Sequence, residues 1–170
     1  MSIGNLVAEP PLEFNRELKR VTAEPQPGMH RYMPNAGYTH TREAVARQLG
    51  VDFGLEFQAE DIIMTCGAAG AINVVLKTIL NPGEEVIVFS PYFPEYLSYI
   101  NNHGGFYRIV QTGDNFSPKA GDLDAAINSS TRAVIINSPN NPTGVMYNHD
   151  CLKSLGHVLA ENSRLLGSTI

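Results

Sequence analysis

The chain has 170 residues, 43% of them apolar and 17% charged, with a formal net charge of −5. That is enough apolar material for a globular body with a core, and the mixed charges leave no basic stripe for nucleic acid or an anionic membrane surface. Its apolar runs, such as Val86–Phe89, are too short to span a bilayer, and its two cysteines match neither a metal pattern nor a disulfide framework. The opening residues do not read as a secretory signal, so a cytoplasmic location is the expectation.

In chain order, residues 10–23 predict a helix, with Leu12, Phe14, Leu18 and Val21 apolar among charged neighbours. Pro25-Gln26-Pro27-Gly28 breaks it, and residues 30–41 read as a loop carrying Tyr32, Pro34, Asn35 and Gly37. Thr39 or Thr41 is expected to cap a helix to Leu49, with Gly50 as its stop. Asp61–Thr65 predicts a short buried strand that leads through Gly67-Ala68-Ala69-Gly70-Ala71 into an apolar helix ending at Leu80. Glu85–Phe89 is the next predicted strand, followed by the stiff Ser90–Pro94 loop and a helix through Asn101. Phe106–Val110 predicts a third strand, 122–128 a short helix, Ala133–Asn137 a fourth strand and 150–162 a last helix. Such alternation with short connections predicts an α/β fold: three layers, α/β/α, around a mostly parallel sheet. Met1–Asn5 reads as a short strand and turn, and Ser168-Thr169-Ile170 as the start of another strand. The expectation is a piece of a longer protein.

Three loops carry the candidate chemistry, each just after a predicted strand. The most informative is Asn137-Ser138-Pro139-Asn140-Asn141-Pro142-Thr143-Gly144. Its prolines fix φ and Gly144 permits a turn, so the carboxamides of Asn140 and Asn141 are presented on a stiff loop at a strand's C-terminal end, where α/β sheets bind ligands. The bland alternative is a turn whose Asn side chains bond only their own backbone. Thr65-Cys66-Gly67-Ala68-Ala69-Gly70-Ala71 runs a strand into a helix start, a seat for a phosphate, or else simply tight helix–strand packing. It is neither the Gly-x-Gly-x-x-Gly fingerprint nor a P-loop. In Ser90-Pro91-Tyr92-Phe93-Pro94-Glu95-Tyr96, the rings of Tyr92, Phe93 and Tyr96 offer either a flat face for a planar ligand or a core cluster under a loop. Together the three loops describe a site for a phosphorylated heteroaromatic cofactor.

These motifs, with Arg31–Tyr38, Arg42-Glu43-Ala44-Val45-Ala46 and Pro82–Val88, resemble the N-terminal part of the large domain of class I and II, fold-type-I aminotransferases, which use pyridoxal 5′-phosphate (PLP). The resemblance covers essentially the whole chain. It assigns residues 1–30 to an N-terminal segment of the small domain or arm and 31–170 to a partial large PLP-binding domain. It implies that the backbone N–H groups of Ala68 and Ala69 bind the cofactor phosphate, that Phe93 stacks on the pyridine ring, and that Asn141 donates to the phenolic oxygen and helps hold the substrate carboxylate. Tyr32 would reach the phosphate of a neighbouring subunit in a homodimer, and Gly4 would lie near the substrate. The implied reaction moves an amino group between an amino acid and a 2-oxo acid.

No catalytic residue is assigned within these 170 residues. The family's Schiff-base lysine, its aspartate on the pyridine nitrogen and its carboxylate-binding arginine lie beyond Ile170 in the family order, and Lys19, Lys77, Lys119 and Lys153 read as solvated surface. The chain alone is therefore expected to be inactive. The alternatives are a PLP lyase or synthase on the same fold, a non-catalytic remnant or interaction module, and a Rossmann-like nucleotide binder, the last disfavoured by the absent glycine fingerprint. Cys66 is expected as a small buried hydrophobe, the five histidines as surface or loop residues without metal spacing, and Asp122 and Asp124 as a helix start.

Overall fold

The computed structural model describes residues 7–170. The chain divides into two units, one through Ile63 and one spanning Met64–Ile170. In the first, α1 (Leu12–Ala23) is the amphipathic helix that the pattern predicts, yet none of its residues is buried. Phe14, Leu18 and Val21, spaced by four and three, remain substantially exposed.

Helix α2 (Thr39–Phe53) differs from expectation at both ends. Its cap residue is Tyr38 and makes no side-chain bond, so neither threonine caps it. It runs through Gly50 and stops at Gly54, which adopts φ 65° and donates its N–H to the Gly50 carbonyl. Glycine inside a helix costs only about 1 kcal/mol, whereas a left-handed residue after the last turn ends it outright, so Gly54 is the stop. Arg42 of α2 donates to the Ala59 carbonyl at 2.8 Å, tying the helix to a 3₁₀ turn at Ala59–Asp61.

The predicted strand at Asp61–Thr65 is not one. Ile62 is extended (φ −111°, ψ 128°), but no strand among the described residues pairs with this segment, and Ile63 is 61% exposed. Extended backbone becomes a strand only when a neighbour accepts its N–H groups, which an apolar run cannot reveal by itself.

The second unit is built on three parallel strands, β1 (Glu85–Ser90), β2 (Phe106–Gln111) and β3 (Thr131–Ile135), in the order β2-β1-β3. Central β1 is buried on both faces. Val86 and Val88 pack with Leu76 of α3 (Gly67–Ile79), with Leu80, and with Tyr96, Tyr99 and Ile100 of α4 (Glu95–Asn102). Ile87 and Phe89 point the other way, joining Val110, Leu123 of α5 (Ala120–Ala126) and Leu155 of α6 (His149–Leu166). The period-2 alternation of one strand thus serves two cores, and the result is the expected three-layer α/β/α arrangement. Each fully buried side chain of this kind contributes about 1.5–3 kcal/mol, so Val86–Val88 anchor the unit.

Charge clasps the N-terminal edge of the sheet. The buried Glu85 carboxylate accepts from Arg108 on β2 (2.8 Å), Asn128 (2.9 Å) and Thr131 on β3 (3.3 Å), joining all three strands. Its neighbour Glu84 accepts from Arg132 at 2.7 Å and from the Asn81 N–H at 2.7 Å. The Arg132 hydrogen bond, helped by Asn81, pulls the Glu84 carboxyl down to about 2, below its ordinary 4.5. A carboxyl depressed by folding contributes stability that is complete above its unfolded pKa and disappears as pH falls through the folded one. Replacing Glu84 by Gln is expected to lower Tm at pH 7 by about 2–4 °C, as for a loss of ~1 kcal/mol, with the two proteins converging between pH 4.5 and 2. Thermal melts across that range check this, and a constant gap would contradict it.

Candidate functional site

The site forms where the α3 turn meets the loops that leave β1 and β3. At the turn, Gly67 takes φ 68° and donates to the Thr65 carbonyl at 2.9 Å, while Thr65 Oγ1 donates to the Gly67 carbonyl at 2.9 Å. A Cβ on Gly70 would sit 3.3 Å from Thr65 Cβ, so glycine lets the turn lie tight against the helix. Cys66, the cap residue, supplies no side-chain bond. The first-turn N–H groups of Ala68 and Ala69 therefore have no intrahelical acceptor and no cap, and they carry the positive end of the helix dipole.

The β1–α4 loop brings in Phe93, whose ring meets Tyr96 edge-on at 5.6 Å and 75°. All three rings pack with the same core, Tyr96 buried and Tyr92 and Phe93 half-buried. Phe93 and Tyr96 line the cleft while Tyr92 does not, and Phe93 is the less buried of the two.

The two neighbouring asparagines in the β3–α6 loop have different roles. Asn140 is buried, and its amide donates to the Pro91 carbonyl at 3.1 Å and to Thr143 Oγ1 at 2.9 Å. Its own backbone is bonded on both sides, N–H to Val145 O at 2.9 Å and carbonyl to the Gly144 N–H at 2.7 Å. Asn140 is thus a latch between the two loops and not a presented ligand group. Asn141 is exposed and lines a cleft of about 490 Å³ together with Ala68, Ala69 and Phe93. Those four predicted site residues are brought to one place.

Sequence reasoning missed part of the wall. Asn137, Pro139, Glu95 and Tyr99 also line the cleft. Tyr99 donates its hydroxyl to Glu95 Oε2, and that bond, with burial added, pushes the phenol up to about 12. The i, i+4 spacing of the pair on α4 was the available signal. A hollow of about 550 Å³ beside β3, bordered by Ile79, Arg132, Leu159 and Ile170, gathers none of the motif residues.

The remaining candidates lie elsewhere. Tyr32 belongs to the first unit and is fully exposed. Gly4 falls outside the described residues. Lys19, Lys77, Lys119 and Lys153 are exposed, and none lines the cleft. Cys66 is exposed, contrary to expectation, because the cap position leaves its side chain outside both cores. Four histidines are exposed, but His103 is half-buried and pairs with Asn73 Oδ1 at 3.0 Å. Asp122 stands in the first turn of α5 as expected, and Asp124 accepts from Asn162 at 2.7 Å. No group of three His, Cys, Asp or Glu among the described residues is arranged for a metal, and no described helix is long and apolar enough to cross a membrane.

The family model for aminotransferase class I and II matches residues 1–167, and this chain belongs to that family. It is 36% identical over 132 residues to the aspartate aminotransferase of Thermotoga maritima, covering 76% of this chain and 35% of that protein. It is 30% identical over 166 residues to a probable aspartate aminotransferase of Methanocaldococcus jannaschii, covering 98% of this chain and 43% of that one. Among solved structures, an aminotransferase from Eubacterium rectale superposes with a TM-score of 0.95 at 33% identity, over 99% of this chain and 43% of that one. The Thermus thermophilus aspartate aminotransferase with maleate gives 0.84 at 34% identity, over 94% and 41%. The chain therefore spans about two-fifths of the length of these relatives.

The two asparagines are separable by stability. Asn140→Ala is expected to cost about 1–3 kcal/mol, because it removes the amide bond that joins the two loops and the one to Thr143 within its own loop. Asn141→Ala, exposed and unlatched, should stay within about 0.5 kcal/mol of the parent. Denaturant unfolding of both variants measures this; equal losses would contradict the assignment.

Proposed function

We propose that this chain supplies the PLP-seating part of an aminotransferase that exchanges an amino group between an amino acid and a 2-oxo acid. The observation that carries this reading is the convergence of Ala68, Ala69, Phe93 and Asn141 on one cleft. Two uncapped N–H groups at a helix start suit a phosphate, an aromatic face suits a pyridine ring, and an exposed carboxamide suits a phenolic oxygen. The residues present thus fit the cofactor, which when bound supplies the electron-withdrawing ring that amino-group transfer requires. The chain's own part is to bind and orient: backbone holds the phosphate, Phe93 sets the ring plane, and Asn141 fixes the ring's rotation and contacts the substrate carboxylate.

In this reading residues 1–30 belong to the small domain or arm and 31–170 to the PLP domain. Tyr32, fully exposed, reaches the phosphate site of a second subunit. Covalent capture of the cofactor is assigned to a lysine outside these 170 residues. The relatives named aspartate aminotransferases make aspartate the first amino donor to assay in any longer form that carries such a lysine. The cytoplasm is the proposed location.

Two measurements test the reading. Equilibrium dialysis with pyridoxamine 5′-phosphate, which needs no lysine, should show binding that Asn141→Ala weakens about 5- to 20-fold, the worth of one or two kcal/mol. Borohydride reduction of the chain with PLP should give no stoichiometric adduct at any single lysine. A stoichiometric adduct with amino-donor turnover would overturn the assignment of that lysine, and absence of any binding would overturn the site.

A further inference from the structure

Helix α3 opens on Gly67-Ala68-Ala69-Gly70, a turn with no side chain larger than a methyl. Glycine at both ends gives its backbone wide conformational freedom, so bonds from outside the turn help set where its N–H groups point. Two side chains make such bonds. Thr65 Oγ1 donates to the Gly67 carbonyl at 2.9 Å, and Asn73 Nδ2 donates to the Ala69 carbonyl at 2.9 Å. A peptide unit is planar and trans, so holding its carbonyl also fixes the direction of its N–H. The Gly67 carbonyl shares a plane with the Ala68 N–H, and the Ala69 carbonyl shares one with the Gly70 N–H. The peptide that carries the Ala69 N–H lies between these two held planes.

Both clamps are themselves held. A Cβ on Gly70 would lie 3.3 Å from Thr65 Cβ and 3.7 Å from Thr65 Oγ1, so the threonine rests against the helix at that glycine. The Ala69 carbonyl can only accept, which turns the Asn73 amide nitrogen toward it and leaves Oδ1 facing His103, whose Nε2 is 3.0 Å away. His103 in turn ends α4 and donates its backbone N–H to the carbonyl of fully buried Ile100 at 3.2 Å. Ala68 and Ala69 line the cleft, whereas Thr65 and Asn73 stand behind them. We propose that Thr65 and Asn73 are positioning residues of the phosphate seat. Each holds a carbonyl of the α3 turn so that the Ala68 and Ala69 N–H groups are aimed at one anion, and His103 anchors Asn73 to α4. This rests on the PLP-seating reading and deepens it. A turn fixed before the ligand arrives loses less freedom on binding, so the clamps strengthen phosphate binding without touching the phosphate.

The test compares pyridoxamine 5′-phosphate with unphosphorylated pyridoxamine, each measured by equilibrium dialysis on the full chain, with circular dichroism to check the fold of every variant. Thr65→Val keeps the branched shape and removes the hydroxyl, while Thr65→Ser keeps the hydroxyl. Thr65→Val and Asn73→Ala should each weaken the phosphorylated ligand about three- to tenfold, the scale of one hydrogen bond, and pyridoxamine less than about twofold. Thr65→Ser should stay within about twofold of the parent for both ligands. His103→Ala leaves both donors in place and should weaken the phosphorylated ligand about twofold. It and Thr65→Val decide the matter if Asn73→Ala does not fold. Equal weakening of both ligands, or a Thr65→Ser variant as weak as Thr65→Val, would overturn the proposal. A parent chain that binds neither ligand overturns the PLP-seating reading and this one with it. A parent that binds, with a ligand ratio that no variant moves, overturns this one alone.

Discussion

The cleft depends on a single carboxamide. Pro91, Pro94, Pro139 and Pro142 make the loops leaving β1 and β3 stiff, but proline has no N–H, so such loops cannot lace together through backbone alone. Asn140 supplies the missing donors, spending both amide hydrogens, one on the Pro91 carbonyl across the gap and one on Thr143 within its own loop. Because the amide is buried, each bond is protected from water and losing either leaves an unsatisfied group. Phe93 is carried by one of these loops and Asn141 by the other. Their meeting in one cleft is a consequence of the latch.

The sheet beneath divides its labour by end. At the N-terminal edge, charge closes the structure: Glu85 gathers Arg108, Asn128 and Thr131, and Glu84 gathers Arg132. At the C-terminal edge the latch is a neutral carboxamide. There the start of α3 leaves its first N–H groups without a side-chain cap, which in the proposed reading makes it the seat of the cofactor phosphate.

Much of this was legible in the chain. Strands β1 and β2 and helices α3, α4 and α6 lie within a few residues of where apolar periodicity and Pro-Gly punctuation put them, because those signals report local backbone preference directly. The convergence of Ala68, Ala69, Phe93 and Asn141 was legible in part: two of the loops leave strands of one parallel sheet as expected, while the third leads into α3 without the strand expected before it. What escaped depends on partners distant in sequence. Asp61–Thr65 has the residues of a strand but, among the described residues, no neighbour that pairs with it. Gly50 and Gly54 are equivalent as letters, and only the backbone angle at Gly54 makes it the stop. Asn140 and Asn141 are adjacent and chemically identical, and nothing local says that one turns inward to Pro91 while the other turns out. Glu95 and Tyr99 show helical spacing, but not that their helix faces a cleft.

The most direct measurement is a crystal structure of this chain with pyridoxamine 5′-phosphate. The account predicts the phosphate within hydrogen-bonding distance of the Ala68 and Ala69 N–H groups, the ring against Phe93, Asn141 at the phenolic oxygen, and the Asn140–Pro91 bond intact. A phosphate seated elsewhere, or a ligand bound in this cleft with Asn140 swung away from Pro91, would contradict it.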